Sequence, residues 1–238
     1  MLDTKLINGL KSQNVLPARC AYVPEGGVTP LNGVWEIKPH KSINELPDDI
    51  LDEETEGKID VPSCVQYYGY DYFQYTNIRY PFPFDPPFTP YLNPVYHFRK
   101  RFEIKRDGRM HYLVFEGVDS CFYVYLNRRY VGFSQISHRI SEFDVSGLLA
   151  DGINTLDVFV VKWCAGSYLE DQDKWRFTGI TGDVYILQRP NGHIEDYFIK
   201  TDDEGNLSFS LIGSATAAVT FNGESKKVNG GETVNFKI

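Results

Sequence analysis

Between Val95 and Trp163 the chain repeats one pattern: short runs rich in aromatic and β-branched residues, each stopped by Gly, Asp or Asn. The runs are Tyr96–Ile104, His111–Glu116, Cys121–Leu126 and a hairpin return over Asn127–Phe133. Glu142–Val145 follows, with a brief turn at Gly147–Leu149, and then Asn154–Trp163. This last run is β-branched and almost continuously apolar, as a strand buried on both faces must be. Strands at this spacing, with no helix of ordinary length anywhere, predict an all-β sandwich.

The flanks fit that frame. Leu31–Ile37 reads as an earlier strand, and residues 41–58 as an acidic surface connector with one short helical turn at most. Ile59–Pro62 leads into a Tyr-rich run over Tyr67–Tyr80 and then into Pro81–Pro90. Proline withholds ladder donors and fixes φ, so that segment is not a central strand. Its P-x-x-P spacings are open to reading as a polyproline ligand. Leaving Phe82, Phe84 and Phe88 in water would cost roughly 1.5–3 kcal/mol apiece, which favours a stiff packed loop.

Gln188–Gly192 carries turn residues and marks a boundary, giving a first domain over 1–190 and a second over 191–238. In the second, His193–Lys200, Asn206–Ile212, Ala217–Phe221 and Thr233–Ile238 read as four strands of an immunoglobulin-like sandwich. Such a domain needs about seven. The expectation is a partial domain whose open strand edges pair with another copy.

At 238 residues the chain buries a substantial core without staples. Its net charge of −8 argues against a phosphate-tracking nucleic-acid surface, and Arg99-Lys100-Arg101 is expected to be a solvated face. Cys20, Cys64, Cys121 and Cys164 are far apart, lack C-x-x-C spacing and lie in apolar stretches, which predicts buried thiols in a reducing compartment. No signal-peptide or membrane-spanning pattern is present, so a cytoplasmic location is expected, and the sequon at Asn206 then has no role.

Catalytic elbows, phosphate loops, dinucleotide fingerprints and zinc helices are absent, and the five histidines are scattered. What stands out is Trp163–Arg176, which holds Glu170, Asp171 and Asp173 within four positions. Such carboxylates need solvent, a cation or hydrogen bonds. Pairing with Lys174 and Arg176 on a capped loop would suffice. A sugar or cation site would also do so, with carboxylates accepting hydroxyl hydrogen bonds and Trp175 or nearby tyrosines covering a pyranose face.

Several stretches carry a resemblance: Leu31-Asn32-Gly33-Val34-Trp35, Val61-Pro62-Ser63, Tyr75-Thr76-Asn77-Ile78-Arg79-Tyr80-Pro81, Phe115–Ser120, Tyr130–Ser134 and above all Gly166–Arg176. From about Arg19 to Pro190 the chain resembles the N-terminal domain of bacterial β-galactosidases of glycoside hydrolase family 2. The resemblance implies a jelly-roll (galactose-binding-like) β-sandwich, a partial immunoglobulin-like β-sandwich after it, and beyond the chain a barrel holding the two catalytic glutamates. It implies that Asn77 and Asp173 contact galactosyl hydroxyls and that Asp173 ligates sodium, with magnesium only in the barrel.

This chain is then expected to be inactive alone. Its partner would be a galactoside in a homo-oligomeric parent, with neither nucleic acid nor membrane involved. A stand-alone carbohydrate-binding module and a structural scaffold are the alternatives.

Overall fold

Alternation along Gly152–Val161 sends Leu156, Val158 and Val160 to one side and Phe159 and Val161 to the other, and both sides are buried. The strand lies inside a six-stranded sheet, which accounts for its unbroken apolar run.

The structure, a computed structural model, describes residues 2–18, 27–170 and 173–237. In chain order the strands begin with Val28–Pro30 (β1), Gly33–His40 (β2), Gly57–Val61 (β3), Gln74–Thr76 (β4), Val95–Ile104 (β5), Met110–Phe115 (β6) and Val118–Asp119 (β7). They continue with Cys121–Leu126 (β8), Arg129–Gln135 (β9), Ser141–Asp144 (β10), Gly152–Val161 (β11), Lys174–Arg176 (β12), Gly179–Ile180 (β13) and Val184–Arg189 (β14). The last five are Ile194–Thr201 (β15), Asn206–Gly213 (β16), Thr216–Phe221 (β17), Glu224–Asn229 (β18) and Thr233–Lys237 (β19). The chain divides into units 1–188 and 189–238.

In the first unit an antiparallel sheet of order β3-β2-β5-β11-β8-β9 packs on one of order β1-β14-β6-β10. Trp35, Phe98 and Val158 from the larger sheet meet Leu113, Phe115 and Ile186 from the smaller in one core. This is the two-layer sandwich that the strand pattern predicts. The larger sheet's outer face is buried as well, by Ile7, Ile43 and Ile50 over Val95, Tyr123 and Phe159.

That outer layer corrects two expectations. The acidic connector forms two 3₁₀ turns, Ile43–Glu45 and Ile50–Asp52, because each drives an isoleucine into the sheet. The basic run is not one solvated face. Arg101 is exposed, but Arg99 donates to Asp157 Oδ1 at 2.6 Å and to the carbonyls of Leu51 and Glu53 at 2.7 and 2.9 Å. Arg99 thus ties the connector down.

In the proline segment Phe82 packs against Trp163 and Tyr168, at 5.0 and 5.2 Å between ring centroids. Phe84 and Phe88 stay more than half exposed, so only part of this loop is packed. Cys64, Cys121 and Cys164 are buried free thiols, while Cys20 lies outside the described residues.

The second unit holds a sheet of order β15-β16-β19 and the hairpin β17-β18, five strands where four are expected. The additional strand, Glu224–Asn229, is mostly polar, but it follows Asn222-Gly223, whose φ values are 47° and 82°. An Asn-Gly pair with both φ positive closes a two-residue hairpin. No helix among the described residues is long and apolar enough to cross a membrane.

Candidate functional site

β4 and β12 form a separate two-stranded ribbon in which Gln74 pairs with Arg176, Tyr75 with Trp175 and Thr76 with Lys174. One step further along the same register stand Asn77 and Asp173. The ribbon thus brings the two predicted site residues, 96 positions apart in the chain (173 − 77), to one end of one element. Both are exposed.

Side chains alternate across a strand, so Phe73, Tyr75 and Asn77 share a face with Asp173, Trp175 and Phe177. The ring of Tyr75 lies 5.6 Å from that of Trp175, and Phe73 meets Trp175 and Phe177 edge-on, each at 6.3 Å. Tyr67 joins them, 5.4 Å from Phe73. About half of the surface of Phe73, Tyr75 and Trp175 is open to solvent. The tyrosine hydroxyl of Tyr75 donates to Asp173 Oδ1, and this bond to a carboxylate raises the Tyr75 phenol's pKa.

The opposite face of the ribbon is anchored. Arg176, buried, donates from Nε to Thr76 Oγ1 at 3.2 Å and from a terminal nitrogen to the Glu170 carbonyl at 2.9 Å. Burial lowers the pKa of its guanidinium. Lys174 Nζ lies 3.2 Å from His138 Nε2.

Two further devices fix the approach to the ribbon. The Asp71 carboxylate takes Lys162 Nζ at 2.5 Å and Gln66 Nε2 at 3.1 Å, and the ammonium lies 4.4 Å over the Tyr72 ring. Backbone bonds from Ser63 N to Ile180 O (2.8 Å) and from Val65 N to Thr178 O (2.9 Å) join the segment leading to β4 to the one leaving β12. Gly179 permits this approach: at φ +146° a Cβ there would stand 2.6 Å from the Ser63 carbonyl oxygen.

Glu170 and Asp173 are held separately, Glu170 by Ser137 and Asp173 by Tyr75. Ser137 donates to Glu170 from N at 2.8 Å and from Oγ at 2.6 Å. Ser137 Oγ also lies 3.0 Å from Asp119, whose carboxyl pKa is raised chiefly by burial. Asp171 lies outside the described residues. No group of three or more His, Cys, Asp or Glu among the described residues could hold a metal.

Sequence reading named Asn77, Asp173 and Trp175, with Tyr75 only as part of a motif, and missed Phe73, the Tyr75–Asp173 bond and the Lys162–Asp71 anchor. The signal was the odd-numbered series 73, 75, 77 and 173, 175, 177. Only a pairing between segments a hundred residues apart turns it into one surface.

An exposed ribbon of aromatic rings beside a carboxylate and an amide holds the groups that can cover the apolar face of a sugar and hydrogen-bond its hydroxyls. Residues 28–190 match the family described as glycosyl hydrolases family 2, sugar binding domain, and the chain belongs to that family. It is 51% identical over 178 residues to a β-galactosidase of Actinobacillus pleuropneumoniae, covering 74% of this chain and 18% of the relative. A β-galactosidase of Staphylococcus xylosus is 39% identical over 231 residues, or 89% of this chain and 23% of that one. The chain therefore spans about a fifth of the length of these curated relatives.

Among solved structures, a β-glucuronidase from an uncultured Clostridium sp. matches with TM-score 0.63 at 17% identity, over 92% of this chain and 41% of that one. A β-D-mannosidase from Dictyoglomus thermophilum matches with TM-score 0.54 at 18% identity, over 89% and 30% of the two chains. At such identities these likenesses concern the fold alone.

Proposed function

We propose that this chain is the sugar-side module of a retaining β-galactosidase, supplying galactosyl contacts to a barrel in another part of the polypeptide. The observation that carries the reading is the meeting of Asn77 and Asp173 at the open end of the β4–β12 ribbon. Asn77 offers both an amide donor and a carbonyl acceptor, and Asp173 offers a carboxylate to paired hydroxyls. The names of the two bacterial relatives support galactosides as substrate.

Sodium fits as a ligand of Asp173, since the carboxylate is exposed and supplies hard oxygen; its other oxygens would come from water or from the rest of the polypeptide. The ion would supply fixed positive charge for sugar oxygens. In a full-length enzyme containing this module, Asp173→Ala is expected to lower galactoside kcat/KM by about 100-fold or more and to abolish its sodium dependence. Unchanged kinetics across sodium concentrations would refute the assignment. The purified chain alone is expected not to cleave a chromogenic galactoside.

The half-exposed aromatic face favours a second reading, a carbohydrate-binding module that works by itself. Calorimetric titration of the chain with galactosides separates the two. Appreciable affinity without the barrel supports the second.

A further inference from the structure

β15 is an outer strand: β16 flanks one side of it and, among the described residues, no strand flanks the other. It is exposed at every position but Asp196, and Ile194, Tyr197, Phe198 and Ile199 are all open to solvent. Among the described residues its outward N–H and C=O groups pair with no other strand, the arrangement that templates strand addition. The Tyr197 N–H bonds its neighbour Asp196 Oδ1 at 2.8 Å, which places residues 197 and 199 on the outward set and Phe198 and Lys200 on the set facing β16. The bulge between Ile194 and Asp196 leaves the stretch from Asp196 onward regular.

We propose that two copies of this chain pair through β15, antiparallel about a two-fold axis at Phe198. Charge fixes the register. With Phe198 opposite itself, Tyr197 faces Ile199, and Asp196 faces Lys200 twice by symmetry. Centring on Tyr197 instead sets Asp196 and Glu195 against Phe198 and Ile199, and centring on Ile199 sets Asp196 against Asp202. Half-step registers match outward groups with inward ones and form no ladder.

The Phe198-centred pairing also resolves the edge's own hydrogen bond. The Ile199 carbonyl of the second copy takes the Tyr197 N–H, and the Asp196 carboxylate is freed to meet Lys200 of the second copy. The two Phe198 rings then lie in a non-hydrogen-bonded pair, where cross-strand side chains come closest.

Sedimentation velocity of the chain from low to high micromolar concentration tests this, with Asp196→Lys, Lys200→Asp and the double reversal alongside. The wild type is expected to show a monomer–dimer equilibrium that tightens at low salt. Each single reversal is expected to weaken it about ten-fold, and the double reversal to restore it. Circular dichroism confirms that each variant is folded, and Asp196→Asn, expected to weaken the dimer about three-fold, replaces any reversal that is not. A wild type monomeric at every concentration, a dimer indifferent to the single reversals, or a double variant that fails to recover would each overturn the proposal.

Discussion

Lys162 and Asp71, 91 positions apart, form an ion pair at 2.5 Å in which both side chains are almost wholly buried. One ends the central strand's run and the other opens the segment that becomes β4. Breaking such a pair from one side strands the other charge, at a cost of about 3–5 kcal/mol. Asp71→Ala is therefore expected to lose about that much in urea unfolding. Lys162→Met with Asp71→Leu should lose much less, since no buried charge remains. If the double variant is the less stable of the two, the ion pair is not what anchors this segment.

Tyr75 is half exposed and holds Asp173 by its hydroxyl. Tyr75→Phe keeps the ring against Trp175 and removes one bond at the surface, so stability is expected to change by no more than about 0.5 kcal/mol. In a full-length enzyme with this module the carboxylate would lose its brace, and galactoside kcat/KM should fall about ten-fold with a weaker sodium response. A destabilised chain with intact kinetics would make Tyr75 structural only.

The sandwich was legible because its signals are local. Alternation in Val95–Ile104 and the continuous apolar run of Gly152–Val161 are each written in ten neighbouring residues. The strand Glu224–Asn229 went unread because its residues are mostly polar; the Asn222-Gly223 turn before it was the local signal that could have found it. The ribbon was not legible, because β4 and β12 are three residues each and owe their pairing to contacts made elsewhere, such as Val65 with Thr178. Arg99 misled for a similar reason: a basic triplet shows its charge in sequence, while the carbonyls of Leu51 and Glu53 that claim it do not.

Arg99 gives its own prediction. Its planar fork serves a carboxylate and two carbonyls in different directions, which a single ammonium cannot do. Arg99→Lys is expected to destabilise the fold by about 2–3 kcal/mol, and Arg99→Ala by somewhat more, since Asp157 is left buried beside His97 alone. The connector over residues 41–56 should also loosen. Limited proteolysis after Glu53 and Glu54 is expected to speed up in both variants, and unchanged cleavage would mean that Ile43 and Ile50 hold the connector unaided.

The buried Asp119, which shares Ser137 with the half-buried Glu170, makes a pH prediction whose sign follows from proton counting. Burial raises the folded-state pKa of Asp119 above its ordinary carboxylate value, so the folded chain binds more protons than the unfolded one between those two values. Through that window stability falls as pH rises, and above it the full cost of a buried charge is present. Asp119→Asn removes that cost and keeps a donor for Ser137 Oγ, an amide N–H in place of the acid's O–H. The variant is thus expected to melt a few degrees above the wild type at pH 7, with the gap closing as pH falls toward 4. The hydroxyl explains why the proton matters. Ser137 has one hydrogen between two carboxyl groups, and only a protonated Asp119 can donate to Ser137 while Ser137 donates to Glu170. Thermal melts of both proteins across that range read the result directly, and a gap that stays constant or widens at low pH would place the excess proton elsewhere.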